Sequence, residues 1–326
     1  MPRTIRVWVV VPPRVLLLDV AGPLEAMRRA GIEQRDLRFD VRYASPGPAV
    51  TSSIGLTLSG IEPLPESLPD DAMVIVPGSA DTIAFADDAP DAAVAADQSA
   101  IVAWLARHIR GQMLVSICSG ALLAARAGLL DGRDCTTHFT CCAALAALAP
   151  RARVLDNRLY VVDGNRCSSA GVTAGTDLML HLIGRLCGPA VALATARHLV
   201  IYLRRSGSDP QLSPWLEGRN HIHPAVHRAQ DAIAANPSRT WSLAGLSRIA
   251  STSPRHLSRL FNEHAGMSVP DYVNRLRVSL ARELLGQTRL DMERVAERSG
   301  FASARQLRRA WRRSYATPPH EARAAR

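Results

Sequence analysis

The sequence contains no lysine: all 39 basic residues of its 326 are arginine. Such a bias is the habit of a high-Arg genome and assigns no function by itself. No apolar run approaches the roughly 20 residues of a spanning helix, which excludes an integral membrane protein. The Val-rich N-terminal run is broken by Pro12, Pro13 and Arg14, so it reads as a strand and not as a secretory signal. Cys118, Cys135, Cys141, Cys142, Cys167 and Cys187 follow no framework spacing, and the adjacent pair suits a reducing cytoplasm, the expected location. Hydrophobic residues at 47% and charged residues at 21% exclude a mostly disordered chain. The length leaves room for two domains, each with a core that needs no disulfide or metal.

The net charge of +10 is unevenly placed. Residues 219–326 hold 19 Arg against 8 acids, while residues 1–218 hold 20 against 21. Codon bias would decorate both parts alike. A basic module beside a neutral one points to nucleic-acid binding by the former.

Residues 5–11, 37–44, 73–76 and 113–117 are β-branched or apolar runs ended by Pro, Gly or Ser. Helical patterns lie between them, at 23–30, 92–108 and 120–127, with another over 175–187. Alternating strands and helices predict an α/β domain, a doubly wound parallel sheet covered on both faces. A hairpin is expected within 153–168, turning at Asp156-Asn157. Residues 204–220 are rich in Gly, Ser and Pro without a period and are expected to be a linker. The expected domains are therefore 1–203 and 221–326.

The second domain reads as all-α, with helices near 224–235, 243–249, 254–264, 270–285, 292–298 and 304–315. Ser253-Pro-Arg-His-Leu-Ser-Arg-Leu-Phe261 aligns with Ser303-Ala-Arg-Gln-Leu-Arg-Arg-Ala-Trp311. Each has a Ser where an N-cap belongs, then a Leu and an aromatic on one helical face. Each follows a short helix and a tight turn, which makes two helix-turn-helix units. Opposite the apolar face lie Arg255, His256, Ser258 and Arg259 in the first unit, and Arg305, Gln306, Arg308 and Arg309 in the second. Arg can pair bidentately with guanine and Gln with adenine, so these eight are the candidate DNA-binding residues. The wet side of two amphipathic helices would not by itself combine a repeat, a cap, a turn and a charge excess.

With Leu284-Leu-Gly-Gln-Thr288 and Val295-Ala-Glu-Arg-Ser-Gly-Phe301, residues 221–326 resemble the DNA-binding domain of AraC/XylS-family transcription regulators. The resemblance implies seven helices, a long helix joining the two units, and double-stranded DNA and RNA polymerase as partners. It favours an activator.

In the first domain a strand-like Leu114-Val-Ser-Ile117 runs into Cys118, and Ser119-Gly-Ala-Leu-Leu123 opens a helix. A nucleophile elbow has this layout, and the helix N-terminus is expected to lower the thiol pKa. Leu18-Asp-Val-Ala-Gly-Pro-Leu-Glu25, Val76-Pro-Gly78, Thr136-Thr-His138 and Ser169-Ala-Gly-Val-Thr-Ala-Gly-x-Asp177 complete a resemblance to the class I glutamine amidotransferase-like superfamily, PfpI-type branch, in its form fused to AraC-type domains. That resemblance implies a flavodoxin-like fold with Cys118 at the elbow, His138 at the superfamily's histidine and Asp19 facing the thiol. In the regulator branch it further implies that the pocket recognises a small nitrogenous effector, without catalysis, and that the domain dimerises.

The candidate effector-binding residues are Asp19, Gly78, Ser79, Cys118, Ser119, His138 and Thr173. The competing reading is a PfpI-type cysteine-dependent hydrolase or hydratase tethered to DNA. Spacing cannot bring base and nucleophile together. No cofactor or metal is expected, since His221-Ile-His223 has no companion ligands at metal spacing.

Overall fold

The computed structural model describes residues 2–80, 91–201, 205–207, 211, 221, 223–315 and 317–324, and the chain divides into two compact units, Met1–Gln211 and Leu212–Arg326. Ten strands are described, all in the first unit: β1 (Arg3–Val10), β2 (Leu37–Ala44), β3 (Ala49–Thr51), β4 (Thr57–Ser59), β5 (Met73–Val76), β6 (Met113–Ile117), β7 (Asp134–Cys135), β8 (Arg153–Val154), β9 (Tyr160–Asp163) and β10 (Arg166–Ser169). Six form one sheet in the order β2-β1-β5-β6-β10-β9. All its pairings are parallel except that of the edge strand β9 with β10. Counting the parallel strands alone gives the doubly wound order 2-1-3-4-5. Central β5 is buried along its whole length, as a strand covered on both faces must be, and its sequence is accordingly a continuous Met-Val-Ile-Val run.

Six helices cover the sheet: α1 (Leu17–Glu33), α2 (Ala92–His108), α3 (Gly120–Arg126), α4 (Cys142–Leu148), α5 (Thr173–Cys187) and α6 (Pro189–His198). One core packs Met27, Leu178, Ile183 and Ala192 against Val9 and Ile75. The other packs Trp104, Leu105, Leu122 and Leu145 against Val10 and Val74. Side chains of alternate residues on β1 and β5 thus supply the two faces.

Two expectations change. The hairpin is β9–β10, and it turns at Gly164 (φ +60°) and Asn165. Asp156-Asn157 does turn, but Val154 before it pairs in parallel with Cys135. Helix α1 begins six residues before Pro23, which lies inside it and not at its first turn. The missing proline N–H falls opposite the Asp19 carbonyl in the first turn, where little helix precedes it to be broken.

The second unit holds seven described helices: α7 (Pro224–Ala235), α8 (Leu243–Ile249), α9 (Pro254–Ala265), α10 (Val269–Gln287), α11 (Met292–Arg298), α12 (Ala304–Ser314) and α13 (Glu321–Ala324). Side chains of Ser242, Ser253, Ser268, Asp291 and Ser303 accept the N–H three residues on and cap α8 to α12. Such caps contribute about 1 kcal/mol each. α10 serves two cores, with Tyr272 and Leu276 beside Leu257 and Phe261, and Ala281 and Leu285 beside Leu307 and Trp311.

Of residues 204–220, expected as a linker, 204, 208–210 and 212–220 lie outside the described residues. Arg205, Gly207 and Gln211 are bonded to the first unit.

Candidate functional site

Strand order reverses between β1 and β5, and in a doubly wound sheet the crevice beyond the strand ends at that point is where ligands bind. Here β5 runs out into Pro77-Gly78-Ser79, and the loop after β1 returns through Leu16, whose N–H bonds the Gly78 carbonyl at 2.9 Å. Asp19, in the first turn of α1, reaches into this junction. Its Oδ2 accepts the Gly78 N–H at 3.1 Å and its Oδ1 accepts the Val172 N–H at 2.6 Å. The next strand, β6, delivers Cys118 to the same place.

Cys118 is wholly buried and holds φ +55°, a left-handed conformation that a non-glycine residue adopts only under constraint. Gly171 lies so close that a Cβ there would meet Cys118 Cβ at 2.1 Å. Gly120 permits the elbow in the same way, since its Cβ would strike the Val76 carbonyl oxygen at 2.1 Å. Ser119 and Ser79 close the remaining side: the Ser79 N–H donates to Ser119 Oγ at 3.0 Å, and that hydroxyl donates to the Ser79 carbonyl at 3.1 Å.

The electrostatics reverse the sequence expectation for the thiol. Burial pushes the Cys118 pKa up, and the carboxylate of Asp19 beside it pushes further. A seven-residue helix start does not overcome those two effects. Asp19 is itself raised to about 6 by burial, against the opposing donation of Val172, Gly78 and the Cys118 thiol. The resting pair is a neutral thiol donating to a carboxylate whose proton affinity burial has raised.

His138 takes no part in this pair. Its Nδ1 bonds Thr140 Oγ1 at 2.7 Å and its ring lies on Phe139, with burial lowering its pKa. Thr173, the first residue of α5, has its Oγ1 bonded by Arg205 Nη2 at 2.7 Å. Five of the seven candidates, Asp19, Gly78, Ser79, Cys118 and Ser119, therefore form one interlocked cluster, with Thr173 at its border and His138 outside it. Sequence reasoning missed Val172 (φ +50°), Gly171, and Arg14 (φ +49°) in the switch-point loop. Backbone strain concentrates where a site is over-determined, and Arg14, Cys118 and Val172 share that signature. A groove of about 900 Å³ along α1 and β2 is lined by Leu24, Met27, Phe39 and Val41 among others and by none of the seven.

In the second unit Arg255, His256, Arg259, Arg305, Gln306, Arg308 and Arg309 are all exposed and Ser258 is half-buried, while Leu257, Leu260, Phe261, Leu307 and Trp311 are buried. Arg259 is drawn toward Glu263 at 3.2 Å and His256 at 3.4 Å. The two turns are built alike. Ser251 and Gly300 bond three residues back, Thr252 and Phe301 five residues back, and Ser251 and Gly300 both have positive φ. The second turn then carries one more residue, Ala302, before its capping Ser. His221 and His223 stack with His227 and His264, but no group of three or more side chains among the described residues is disposed to hold a metal ion. Among the same residues no helix is long and apolar enough to cross a membrane.

Known proteins place both units. A model of the DJ-1/PfpI family matches residues 5–185, and a helix-turn-helix domain model matches residues 246–325. The chain is 31% identical to the HTH-type transcriptional regulator CdhR of Pseudomonas aeruginosa, over 97% of this chain and 91% of that one. It is 34% identical to the HTH-type transcriptional regulator GbdR of the same organism, over 66% of this chain and only 58% of GbdR. A crystal structure of a THiJ/PfpI family protein from Pseudomonas syringae shares the fold at 24% identity, with a TM-score of 0.50 over 77% of this chain and 89% of that one.

Proposed function

We propose, from the premise that the chain belongs to the helix-turn-helix regulators of AraC type that carry a DJ-1/PfpI domain, that it is a sequence-specific transcriptional regulator whose first unit senses a small nitrogenous metabolite. The observation that carries the reading is the pair of capped helices α9 and α12, each with a buried Leu/aromatic face and an exposed face of Arg, Gln, His and Ser. Such helices fit successive major-groove segments about 34 Å apart on one face of the duplex. Arg259 and Arg309 would read base edges, and the remaining Arg would supply phosphate contacts.

The Cys118 cluster supports sensing over turnover. A nucleophile needs a thiolate or a base within bonding reach. Here the thiol is pushed up, the Asp19 carboxylate beside it, at about 6, is too weak a base to take that proton, and His138 bonds elsewhere. A sensor needs only shaped polar groups at a strand-order switch point. Two copies acting on paired half-sites, activation through RNA polymerase and a cytoplasmic location complete the proposal.

In-vitro selection with the full chain tests the first half: an enriched DNA site with two elements one helical turn apart is expected. A thermal-shift screen of metabolites, followed by DNA binding with the hit, tests the second. Turnover of an amide, nitrile or aldehyde that disappears in Cys118→Ala, with the effector response intact, would overturn the sensor reading.

A further inference from the structure

Arg205, Gly207 and Gln211 fasten the end of the first unit to both borders of the Cys118 cluster. At one border Arg205 sits on α5: Nε donates to Asp177 Oδ2 at 2.9 Å, and Nη2 donates to the same oxygen at 2.5 Å and to Thr173 Oγ1 at 2.7 Å. Its backbone N–H adds a 3.4 Å contact to Asp177 Oδ1. At the other border Gln211 Nε2 donates to the Thr137 carbonyl at 2.7 Å, and Thr137 Oγ1 donates to the Cys118 carbonyl at 2.8 Å. Between them the Leu159 N–H bonds the Gly207 carbonyl at 3.2 Å, and Gly207 lies so near Tyr160 that a Cβ would meet its carbonyl oxygen at 2.6 Å.

The Arg205 end has the chemistry of a ligand site. Asp177 exposes only 6% of its side chain, whereas Arg205 exposes 32%. A carboxylate so buried must keep a cation and hydrogen-bond donors, and leaving it unpaired is strongly unfavourable. Thr173 and Asp177 stand one turn apart on one face of α5, and their oxygens receive three N–H bonds from one planar guanidinium. Thr173 directly follows Val172, whose N–H holds Asp19. The seat thus adjoins the proposed effector centre and is filled by the chain itself.

We infer that Asp177 and Thr173 form a guanidinium seat, that Arg205 occupies it in the unliganded chain, and that a ligand bearing a guanidinium or amidinium group displaces Arg205 and loosens the hold of the first unit on residues 205–207. The inference rests on the regulator reading and adds the ligand's class and the contact it replaces. Such a ligand supplies both requirements of the seat, positive charge and planar N–H donors. A quaternary ammonium supplies the charge alone. Because Arg205 competes, the apparent affinity of the wild type is reduced by the fraction of molecules in which the seat is open.

The test uses the full chain with millimolar methylguanidinium, and tetramethylammonium as comparison, read by calorimetry and by hydrogen exchange of the peptide spanning 205–211. Methylguanidinium is expected to speed exchange in that peptide, and to bind Arg205→Ala about tenfold more tightly than wild type. Asp177→Asn is expected to abolish binding; should that variant not fold, Thr173→Ala, which removes one bond, is expected to weaken it several-fold. Equal affinity for wild type and Arg205→Ala, indifference to Asp177→Asn or Thr173→Ala in folded protein, or an equal response to tetramethylammonium would overturn the inference. Selected DNA is bound in parallel: intact DNA binding without methylguanidinium competition overturns the seat alone, whereas loss of specific DNA binding overturns the regulator reading.

Discussion

The carboxylate of Asp19 accepts the Val172 N–H at 2.6 Å across 153 residues of sequence, and it holds Val172 at φ +50°, ψ −112°. That bond ties the first turn of α1 to the entry of α5. Its second oxygen ties the same turn to Gly78 after β5. One buried side chain therefore ties both backbone segments to the first turn of α1.

Asp19 makes stability depend on pH in an unusual direction. Its folded pKa of about 6 lies above the ordinary 3.8, so the protonated form is the one folding favours. The stabilisation is complete below pH 3.8 and is lost as pH rises through 6. Between pH 5 and pH 8 the loss is roughly 1–1.5 kcal/mol. Asp19→Asn cannot titrate, so the stability gap between wild type and variant in urea unfolding is expected to narrow by that amount over this range. A gap that stays constant would mean that Asp19 ionises normally.

Gly171→Ala is expected to destabilise the first unit by about 3 kcal/mol or more, since its Cβ would lie 2.1 Å from Cys118 Cβ and its φ is +86°. Gly128→Ala provides the comparison. Its φ of +72° carries the same backbone penalty, but a Cβ there meets nothing within 4 Å. A loss of only about 1 kcal/mol is expected for it. Denaturation midpoints for the two variants separate crowding at the elbow from backbone strain, and equal losses would contradict the close approach.

Much of the frame could be read from residues, and the reasons are local. Met73–Val76 and Met113–Ile117 are apolar runs ended by Pro or by a thiol at a tight turn, and both are strands at the expected bounds. Met292–Arg298 carries its own Asp cap and is likewise a helix at the expected bounds. Helix α4 escaped notice because Cys-Ala-Ala-Leu-Ala-Ala-Leu has no polar face to reveal a period. Of the site, Cys118 and Asp19 were legible by motif. Val172, Arg205 and Gln211 were not, because their partners lie 153, 28 and 74 residues away. No periodicity reports such separations, and for His138 the motif match is not accompanied by a hydrogen bond to Cys118 or Asp19.

Ser251 and Gly300 occupy equivalent corners of the two helix-turn-helix units, with φ +54° and +87°. Glycine takes this conformation without steric cost and serine does not. Ser251→Gly is expected to stabilise the second unit by roughly 0.5–1 kcal/mol, visible as a raised midpoint. Gly300→Ser is expected to lose more than that, because a Cβ there would also meet the Ser238 carbonyl oxygen at 2.6 Å. An unchanged or lowered midpoint in Ser251→Gly would show that the serine hydroxyl compensates its own strain.

On the proposed reading of α9 and α12, Arg259→Ala and Arg309→Ala should each cost about 1–3 kcal/mol of specific DNA binding at fixed salt. The two are expected to differ in kind. Arg259 is pre-oriented by Glu263 and His256, so removing it also leaves Glu263 facing the duplex, an acidic group near phosphates. Arg309 has no ion pair among the described residues, and its removal takes away one cation only. Competition with non-specific DNA separates base reading from charge: a base-reading Arg loses discrimination at one position, while a phosphate contact weakens all sequences alike and lowers the salt slope by about one. Glu263→Gln in the Arg259→Ala background should recover part of the lost affinity if the exposed acid contributes to the loss. Should both Arg variants keep full affinity for the selected site, the exposed faces of α9 and α12 are not the reading surfaces.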